Sequence, residues 1–343
     1  MRFETFHLLS TPEMESGHDV YRFAIDQIRL ADDAGFETAW FAEHHFSNYG
    51  FCPNPFLPIV KAAALTERIR FGQAVAVVPL WHPIRLVEDI NVCDLLCDGR
   101  LSVGFGRGYQ PSEFRAMGVD LADSQSRFDE ALDVIMAAWT QRDFTFSGRH
   151  FEVPRPLTVL PEPFQRPHPP LFLAASSPNT FVRAAREGFG VLSSGASLTM
   201  AAVVEAYGRY ADALRGCGVD PATREFHSLR FVHVAETDEA AARHVASSRW
   251  QGRVAAALHR GDDHVVAGRA GAVRAEGEPD DDEWGRRLVF GSPDTVTRSL
   301  RTLEAAGVSH VICHFDFGTL TQAEVLRSME LFSERVAPGF PAG

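Results

Sequence analysis

The residues best suited to chemistry follow short apolar runs that have the length of β-strands. One such run, ETAWFAE at about 37–43, leads into Glu43, His44, His45 and Phe46. An imidazole at such a place can act as a general base, bind a metal ion or serve as a structural donor, and the pair alone does not decide between these roles. Similar residues follow other runs, namely Trp81, Tyr109, Ser176, Ser177, His314 and Asp316.

Arg107 and the segment 174–180 (AASSPNT) together suggest a site for a phosphate group. Arg107 stands between two glycines, where the backbone can approach a ligand closely and the guanidinium offers a two-pronged donor. The segment ends one strand and opens a helix, so free helix amides together with Ser176 and Ser177 can hold an anion. A surface salt bridge for Arg107 and simple capping by Ser177 are the alternatives. The chain contains neither GxGxxG nor GxxxxGK[ST], so no dinucleotide or triphosphate fingerprint is present.

A metal site is a competing interpretation, because several possible ligands fall near predicted strand ends: His7, His44, His45, His314 and Asp316. A barrel metallohydrolase is expected to carry an HxH pair on its first strand and bridging ligands on the middle strands. The first strand here offers only His7. We therefore favour a site without a metal.

The elements that position these residues alternate between strand-length apolar runs and segments of helical period. Eight strands are predicted, at about 2–9, 37–43, 69–78, 100–106, 170–175, 189–194, 227–235 and 308–314. Helices are predicted at about 19–34, 54–66, 83–97, 123–139, 179–187, 198–214, 238–258, 293–306 and 321–335. Buried parallel strands with crossover helices predict an α/β fold, a closed (β/α)8 TIM barrel. In such barrels the chemistry lies at the carboxyl ends of the strands.

Two segments do not fit the strand and helix repeat. Residues 151–170 are rich in proline and predict a short hairpin and an extended crossing before the fifth strand. Residues 259–290 are rich in glycine and charge, and a loop of that length in a compact domain is usually functional or disordered. We expect one domain over residues 1–343, with 259–290 as a mobile lid near the active-site rim.

Composition excludes several classes of protein. The 343 residues carry 33 basic and 45 acidic side chains, a net charge of −12, which disfavours nucleic acid as a partner. The only lysine is Lys61, so Schiff-base chemistry has almost no candidate. Five cysteines without a CxxC pair indicate free thiols in a reducing compartment. No signal peptide or long apolar stretch is visible, so we expect a cytoplasmic enzyme that does not engage a membrane.

Several motifs in this chain resemble the bacterial luciferase-like flavin monooxygenases. They are EHHFSNYG after TAWFAE, the NP at 54–55, FGQAVAVVPLWHPIRLVEDINVCDLLCDGRLSVGFGRGY, and GSPDTVTRSLRTLEAAGVSHVIC. The resemblance is in register over nearly the whole chain. It implies a (β/α)8 barrel that binds reduced FMN at its carboxyl-terminal face, reacts it with dioxygen and holds a flavin-4a-hydroperoxide to oxygenate a small organic substrate.

The resemblance also implies roles for individual residues. His44 matches the family's catalytic acid or base, and Ala74-Val75 matches a cis peptide under the flavin ring. The remaining implied cofactor contacts are Phe6, Glu43 and Ser193 around the ring, and Arg107, Ala175, Ser176 and Asn179 at the phosphate. Two residues depart from the light-emitting protein, because Gly106 replaces a reactive cysteine and Ala175 replaces a glutamate whose contact a backbone amide would have to make. We expect the substrate pocket to include Phe46, Trp81, Tyr109 and Ser194.

The substrate and the assembly stay open at this point. An aldehyde, a ketone or an aromatic metabolite would each suit the family, and the absence of a nicotinamide-binding fingerprint predicts a separate flavin reductase as partner. A deazaflavin-dependent oxidoreductase and a non-catalytic flavin-binding partner subunit are the alternatives. Helix 83–97 carries apolar residues outside its main stripe, so we expect a homodimer packed through the helices that follow the second and third strands.

Overall fold

A closed barrel of parallel strands forms the centre of the computed structural model, which describes residues 1–193, 195–261 and 265–340. The strands in these residues are β1 (Arg2–His7), β2 (Thr38–Phe41), β3 (Arg70–Val77), β4 (Leu101–Gly106), β5 (Phe144–Ser147), β6 (Glu152–Leu157), β7 (Leu171–Ala174), β8 (Gly190–Ser193), β9 (Phe226–Val234), β10 (Val265–Val266), β11 (Arg269–Ala270), β12 (Val289–Gly291) and β13 (His310–His314). Eight of them pair in the cyclic order β1, β2, β3, β4, β7, β8, β9, β13. The predicted (β/α)8 barrel is therefore confirmed, and the eight predicted strands are the eight that form it.

Twelve α-helices in the same residues cover the barrel and its two ends. They are α1 (Gly17–Ala34), α2 (Phe56–Ala63), α3 (Pro83–Leu96), α4 (Pro111–Ala116), α5 (Ser124–Thr140), α6 (Pro178–Glu187), α7 (Met200–Gly216), α8 (Asp238–Ala242), α9 (Val245–Arg260), α10 (Asp281–Gly285), α11 (Pro293–Ala305) and α12 (Gln322–Arg335). The predicted helix 238–258 is two helices, α8 and α9. Helix α4 was not predicted, because its six residues are too few to show a helical period.

The barrel strands are buried on both faces, which is why they read as apolar runs rather than as an alternating pattern. Successive residues still point to opposite sides. On β2, Ala39 and Phe41 pack against the surrounding helices, while Trp40 and Ala42 face the barrel interior. The interior group at the carboxyl end of the strands, here called the mouth cluster, comprises Phe6, Leu8, Trp40, Ala42, Tyr49, Phe172, Leu192, Val254, Leu258, Ala270 and Ile312.

The segment 259–290 was expected to be a loop without regular structure, and its described part differs from that expectation. It contains the antiparallel pair β10–β11, helix α10 and the start of β12, which pairs with barrel strand β9. Trp284 and Leu288 are buried in a cluster with Phe231 and Phe317. Because these side chains pack as core, the carboxyl-terminal part of the segment contributes to the fold itself. The predicted hairpin near 151–170 is the β5–β6 pair, which begins slightly earlier.

Within the described residues, no helix combines the length and the apolar character needed to cross a bilayer.

Candidate active site

His44 lies just beyond the end of β2, in the buried mouth of the barrel. Its Nδ1 is 2.9 Å from Gln110 Nε2 and 3.1 Å from Glu113 Oε1. The rings of Tyr49 and Tyr109 contact the imidazole edge-on, with ring centroids 4.8 and 5.9 Å away. When Nδ1 carries a proton it can donate to Glu113, and when it does not it can accept from Gln110. The ring thus has a partner at Nδ1 in either protonation state.

Glu43 and the side chain of His45 form a second network, joined to that of His44 because His45 N donates to Glu113 Oε1 over 2.9 Å. Val77 N donates to Glu43 Oε2 over 2.9 Å, and Trp81 Nε1 lies 2.9 and 3.0 Å from its two oxygens. His45 Nε2 is 3.0 Å from Glu43 Oε1. Burial disfavours the imidazolium of His45, but the hydrogen bond and charge of Glu43 outweigh it and raise the pKa. Both oxygens of Glu43 therefore have partners within the chain, and the indole N–H of Trp81 is used as well.

The peptide bond between Ala74 and Val75 is cis, as the resemblance implied. Both residues pack against the mouth cluster, which includes Phe6. The side chain of Val75 points towards β4, where a Cβ placed on Gly106 would lie 2.2 Å from Val75 Cγ2. A cysteine at position 106 is thus incompatible with Val75 as it stands, which gives a steric reason for the glycine.

The residues of the predicted phosphate site lie at the ends of β4 and β7. Arg107 is exposed and makes no ion pair or hydrogen bond with any residue that the structure describes. Ser176 and Asn179 are exposed at the start of α6, whose N-cap is Ser177, with its hydroxyl accepting from Thr180 N. The capping role expected as an alternative for Ser177 is confirmed. Arg107, Ser176 and Asn179 keep their polar groups available to a ligand.

Ala175 does not fit its implied role at the phosphate. Its backbone N–H donates to Leu192 O over 3.0 Å, and its methyl group is buried among the helices. The amide contact that would have replaced a glutamate side chain is therefore already used inside the sheet. Ser193 is buried at the end of β8. Ser194 lies outside the described residues.

Phe46 stands at the rim of the mouth. It is exposed, and its backbone adopts a left-handed conformation with φ of 62°. Trp81 is half-buried and packs edge-on against Phe56, with ring centroids 6.1 Å apart. Tyr109, by contrast, lies beside His44 and His259. Of these three expected pocket residues, Tyr109 is the one that the structure brings to the catalytic candidate.

Helix α9 and the β10–β11 pair cover the mouth. At one end of α9, Ser247 Oγ accepts from Thr319 N over 2.8 Å, in the loop after β13. At the other end, the ring of His259 lies 5.5 Å from that of Tyr109, which follows β4. The β10–β11 pair is attached to the loop after β2, because Asn48 N donates to Gly268 O and Asn48 Oδ1 accepts from Ala270 N. The helix therefore spans the opening of the barrel.

His314 is a buried histidine that faces this mouth from β13. Its ring contacts Phe6 edge-on at 5.1 Å and stacks on Phe231 at 5.2 Å. Burial lowers the pKa of His314 to about 4, so the ring is neutral at physiological pH. Its Nε2 has no hydrogen-bond partner in the described chain. The metal interpretation had grouped this residue with His44, but the structure gives the two separate surroundings.

The site also contains residues that sequence reasoning missed. Gln110 and Glu113 hold His44, and Gln251 is buried on α9, the helix that covers the mouth. Pro111 is a signal for a helix start, but nothing in the sequence connects that helix to a histidine almost seventy residues earlier. Gln251 has no sequence signal at all.

One set of metal-ligand side chains does come together within the described residues, and it lies at the opposite end of the barrel. It consists of Glu225, His227 and His310. His227 is held by Glu4 and Glu225, with distances of 2.6 Å at Nδ1 and 3.3 Å at Nε2, and its ring stacks on that of His310. These groups already bind one another, and the ring of His227 packs edge-on against Trp40 and Phe172 on the inner side of the mouth cluster.

Comparisons with known sequences identify the family of this chain. A family model described as "Luciferase-like monooxygenase" matches residues 1–310. An uncharacterized protein, y4vJ, of Sinorhizobium fredii is 31% identical over 98% of this chain and 97% of its own length. The oxygenase component of a flavin-dependent trigonelline monooxygenase from Acinetobacter baylyi is also 31% identical, over 70% of this chain and 66% of its own.

Solved structures of the same shape include enzymes with different cofactors. Monooxygenase RslO1 from Streptomyces bottropensis superimposes with a TM-score of 0.86, at 27% identity, over 99% of this chain and 100% of its own. The oxygenating constituent of 3,6-diketocamphane monooxygenase from Pseudomonas putida, in complex with FMN, gives 0.80 at 23% identity over 98% of each chain. An F420-dependent secondary alcohol dehydrogenase gives 0.77 at 16% identity over 99% of each chain, which shows a shared fold alone.

Proposed function

The chain belongs to the luciferase-like monooxygenase family, and from this premise we propose that it is the oxygenase component of a two-component system that uses reduced FMN and dioxygen. A separate flavin reductase supplies the reduced cofactor. The substrate is a small organic molecule, namely an aldehyde, a ketone or an aromatic metabolite. The trigonelline enzyme, a relative named as an oxygenase component, supports this division of labour.

The observation that carries the proposal is a set of polar groups at the mouth that the chain leaves without partners. Gln110 Oε1 and His314 Nε2 are buried and unpaired in the described residues, and the exposed guanidinium of Arg107 makes no ion pair or hydrogen bond with any of them. Buried polar atoms are nearly always hydrogen-bonded, so their clustering around one opening favours a bound ligand that has both polar edges and an anionic group. A flavin mononucleotide has this character.

The residues that would hold FMN divide into two groups. Arg107, Ser176 and Asn179 bind the phosphate, the last two with help from the backbone N–H of Asn179 at the start of α6, since Thr180 N and Phe181 N already bond to Ser177. Phe6, the Ala74–Val75 peptide and Ser193 border the ring. Glu43, whose oxygens are occupied, fixes the end of β3 through Val77 N instead of touching the cofactor by its carboxylate. The chemistry supplied by bound reduced FMN is the activation of dioxygen for insertion of one oxygen atom into the substrate.

His44 moves the proton that this chemistry requires. Glu113 and Gln110 hold Nδ1 in either protonation state, which leaves Nε2 to face the reacting groups. Such a ring can give or take a proton at Nε2 without turning. Retention of this arrangement disfavours a non-catalytic partner subunit.

Helix α9 and the β10–β11 pair keep water from the site. They lie directly over the mouth cluster, to which Val254, Leu258 and Ala270 contribute. A water-excluding cover protects reactive species and strengthens electrostatic contacts inside. We assign the lid role to these elements and treat residues 1–343 as one domain.

We also propose a cytoplasmic homodimer. The apolar side chains of Leu57, Val92, Leu95 and Leu96 are exposed on α2 and α3, the helices that follow the second and third strands. A second copy would cover them. All five cysteines are free thiols, which suits a reducing compartment. Sedimentation at micromolar concentration should show a dimer, and a monomer would defeat this part of the proposal.

The function is tested by binding and by product analysis. The purified chain should bind reduced FMN more tightly than reduced deazaflavin. With a flavin reductase, a nicotinamide reductant and isotopic dioxygen, a panel of aldehydes, ketones and aromatics should yield one labelled oxygen atom in a product. Tighter binding of the deazaflavin would favour the alternative oxidoreductase, and an absence of turnover despite FMN binding would favour the partner subunit.

A further inference from the structure

The buried face of α9 presents a glutamine to the barrel mouth. Buried side chains recur on this helix at Ser248, Gln251, Val254 and Leu258, and a spacing of three or four residues defines one face of an α-helix. Val254 and Leu258 belong to the mouth cluster. Gln251 shares their face and stands near the middle of a helix that spans the opening, so its side chain projects towards the centre of the mouth.

The amide of Gln251 has no partner. The residue is 3% exposed, and neither Oε1 nor Nε2 makes a hydrogen bond with the described chain. Among the other buried glutamines, Gln27 donates from Nε2 to Gln322 Oε1 over 2.9 Å, whereas Gln73 on β3 is unpaired like Gln251. Leaving a donor and an acceptor buried and unpaired destabilises a fold. A position that carries this cost while facing a ligand site is suited to contact the ligand.

We propose that Gln251 determines which substrates this site accepts, by a paired hydrogen bond from α9. Its Nε2 donates to a carbonyl oxygen of the substrate, and its Oε1 accepts from an N–H or O–H next to that carbonyl. The substrate class is then a carbonyl compound with an adjacent donor, such as a carboxamide or a 2-hydroxyketone, and not a plain alkyl aldehyde. This inference rests on the proposed function.

The location of Gln251 favours the substrate over the flavin as its partner. The residues assigned to the cofactor, including Phe6, the Ala74–Val75 peptide and Arg107, belong to barrel strands or follow them directly. Helix α9 instead covers the carboxyl ends of those strands, with Val254 and Leu258 in the mouth cluster. A molecule that enters between the bound cofactor and the cover meets α9 on its outer side, where the amide of Gln251 lies.

The binding experiment compares Gln251→Leu with the wild-type FMN complex. The probes are two matched pairs, nicotinamide with 3-acetylpyridine and 2-hydroxyacetophenone with acetophenone, whose binding is followed by the flavin absorbance. Wild-type protein should prefer the first member of each pair by about tenfold, which the loss of one or two hydrogen bonds would produce. Gln251→Leu should abolish the preference and leave FMN affinity unchanged. Gln125→Leu, on the exposed face of α5, is the control that should change neither.

A thermal measurement on the ligand-free protein tests the same idea without any substrate. Gln251→Leu removes an unpaired amide and should raise the Tm by about 2–4 °C. Gln27→Leu removes an amide whose partners are also buried and should lower the Tm. A fall in Tm for Gln251→Leu would show that the amide has a structural role and would overturn the proposal.

The remaining outcomes are equally decisive. Loss of FMN affinity in Gln251→Leu would assign the amide to the cofactor, and equal binding within both pairs, or no binding of any probe to the wild-type FMN complex, would refute the specificity role. Failure of the wild-type protein to bind FMN would instead refute the proposed function. No result with the Gln251→Leu variant can do so, so the two failures are distinguishable.

Discussion

At the amino-terminal end of the barrel the buried ionisable side chains bind one another, whereas at the carboxyl-terminal mouth several polar groups have no partner in the described chain. Glu4 and Glu225 hold His227 from both sides of its ring. At the mouth, His314 Nε2 and the amide of Gln251 are buried without a hydrogen bond. The first arrangement closes the barrel, and the second leaves donors and acceptors that a ligand could use.

The pKa of His227 at the amino-terminal end and the pKa values of His7 and His314 at the mouth are shifted in opposite directions. Burial disfavours the charged form of His227, but the carboxylates outweigh it and raise the pKa to about 9. Two buried histidines at the mouth have no carboxylate beside them among the described residues. Burial lowers the pKa of His314 to about 4. Burial and the neighbouring His314 lower the pKa of His7 to about 3. A neighbouring carboxylate therefore raises the pKa of His227 and, at the mouth, that of His45, whereas His7 and His314 are buried without one and remain neutral.

The largest expected effect is at the mouth. His44→Ala should lower product formation by about 10²–10⁴-fold, the range for loss of a positioned acid or base. FMN affinity should be spared, because Arg107 and the start of α6 carry it, and oxygen consumption should continue with hydrogen peroxide as the product. Product and peroxide are measured per flavin oxidised. His45→Ala, which breaks the pair with Glu43, should damage stability more than coupling. A His44 variant with normal coupling would contradict the assignment.

A substitution at the amino-terminal end of the barrel should have an effect of comparable size, on the free energy of unfolding and not on FMN binding. Glu4→Gln leaves a buried imidazolium with one partner fewer and should lower the free energy of unfolding by about 3–5 kcal/mol in urea titrations. Glu225→Gln is the matched control, since its side chain is 48% exposed and that of Glu4 1%, so it should cost about 1 kcal/mol or less. FMN binding by folded Glu4→Gln protein should be normal. A Glu4 variant of full stability would show that the network does not hold the barrel closed.

Arg107→Ala should produce a smaller effect, confined to the ligand. Loss of a charge-assisted contact to phosphate removes about 1.5–3 kcal/mol, or roughly 10–150-fold in FMN affinity. Riboflavin, which lacks the phosphate, serves as the control and should bind both proteins equally. Because Arg107 has no partner in the described chain, the Tm should not change. Equal weakening for both ligands would show a structural role.

The smallest expected effect is the difference in pH dependence of stability between His227 at one end of the barrel and His7 and His314 at the other. The folded pKa of His227 is raised from 6.5 to about 9, so its contribution is complete below pH 6.5 and is lost as the pH rises towards 9. The lowered pKa values of His7 and His314 act in the opposite direction, because the unfolded chain binds their protons as the pH falls from 6.5 towards 4. Urea unfolding should show both losses. His227→Gln should flatten the alkaline side and leave the acid side unchanged.

Local pattern in the sequence was enough to predict much of the fold. The eight barrel strands were predicted because a strand buried on both faces is an uninterrupted apolar run, which does not depend on what it packs against. Ser177 as an N-cap was foreseen for a similar reason, since the cap bonds to an amide three residues away. The family motifs added the cis peptide between Ala74 and Val75, and they also gave Ala175 a phosphate contact that its hydrogen bond to Leu192 excludes. The catalytic role they imply for His44 stays a prediction.

Only the tertiary structure decided which groups have partners. The contacts of His44 with Glu113, of Glu4 with His227 and of Asn48 with Ala270 join residues 69, 223 and 222 positions apart. Such contacts depend on strand register and on the path of α9, which no short-range periodicity encodes. The same holds for the unpaired amide of Gln251, because a missing partner is a property of the whole surrounding shell. Composition and spacing in the sequence therefore determined the barrel. The tertiary contacts of the folded chain determined which polar groups have no partner within the described residues.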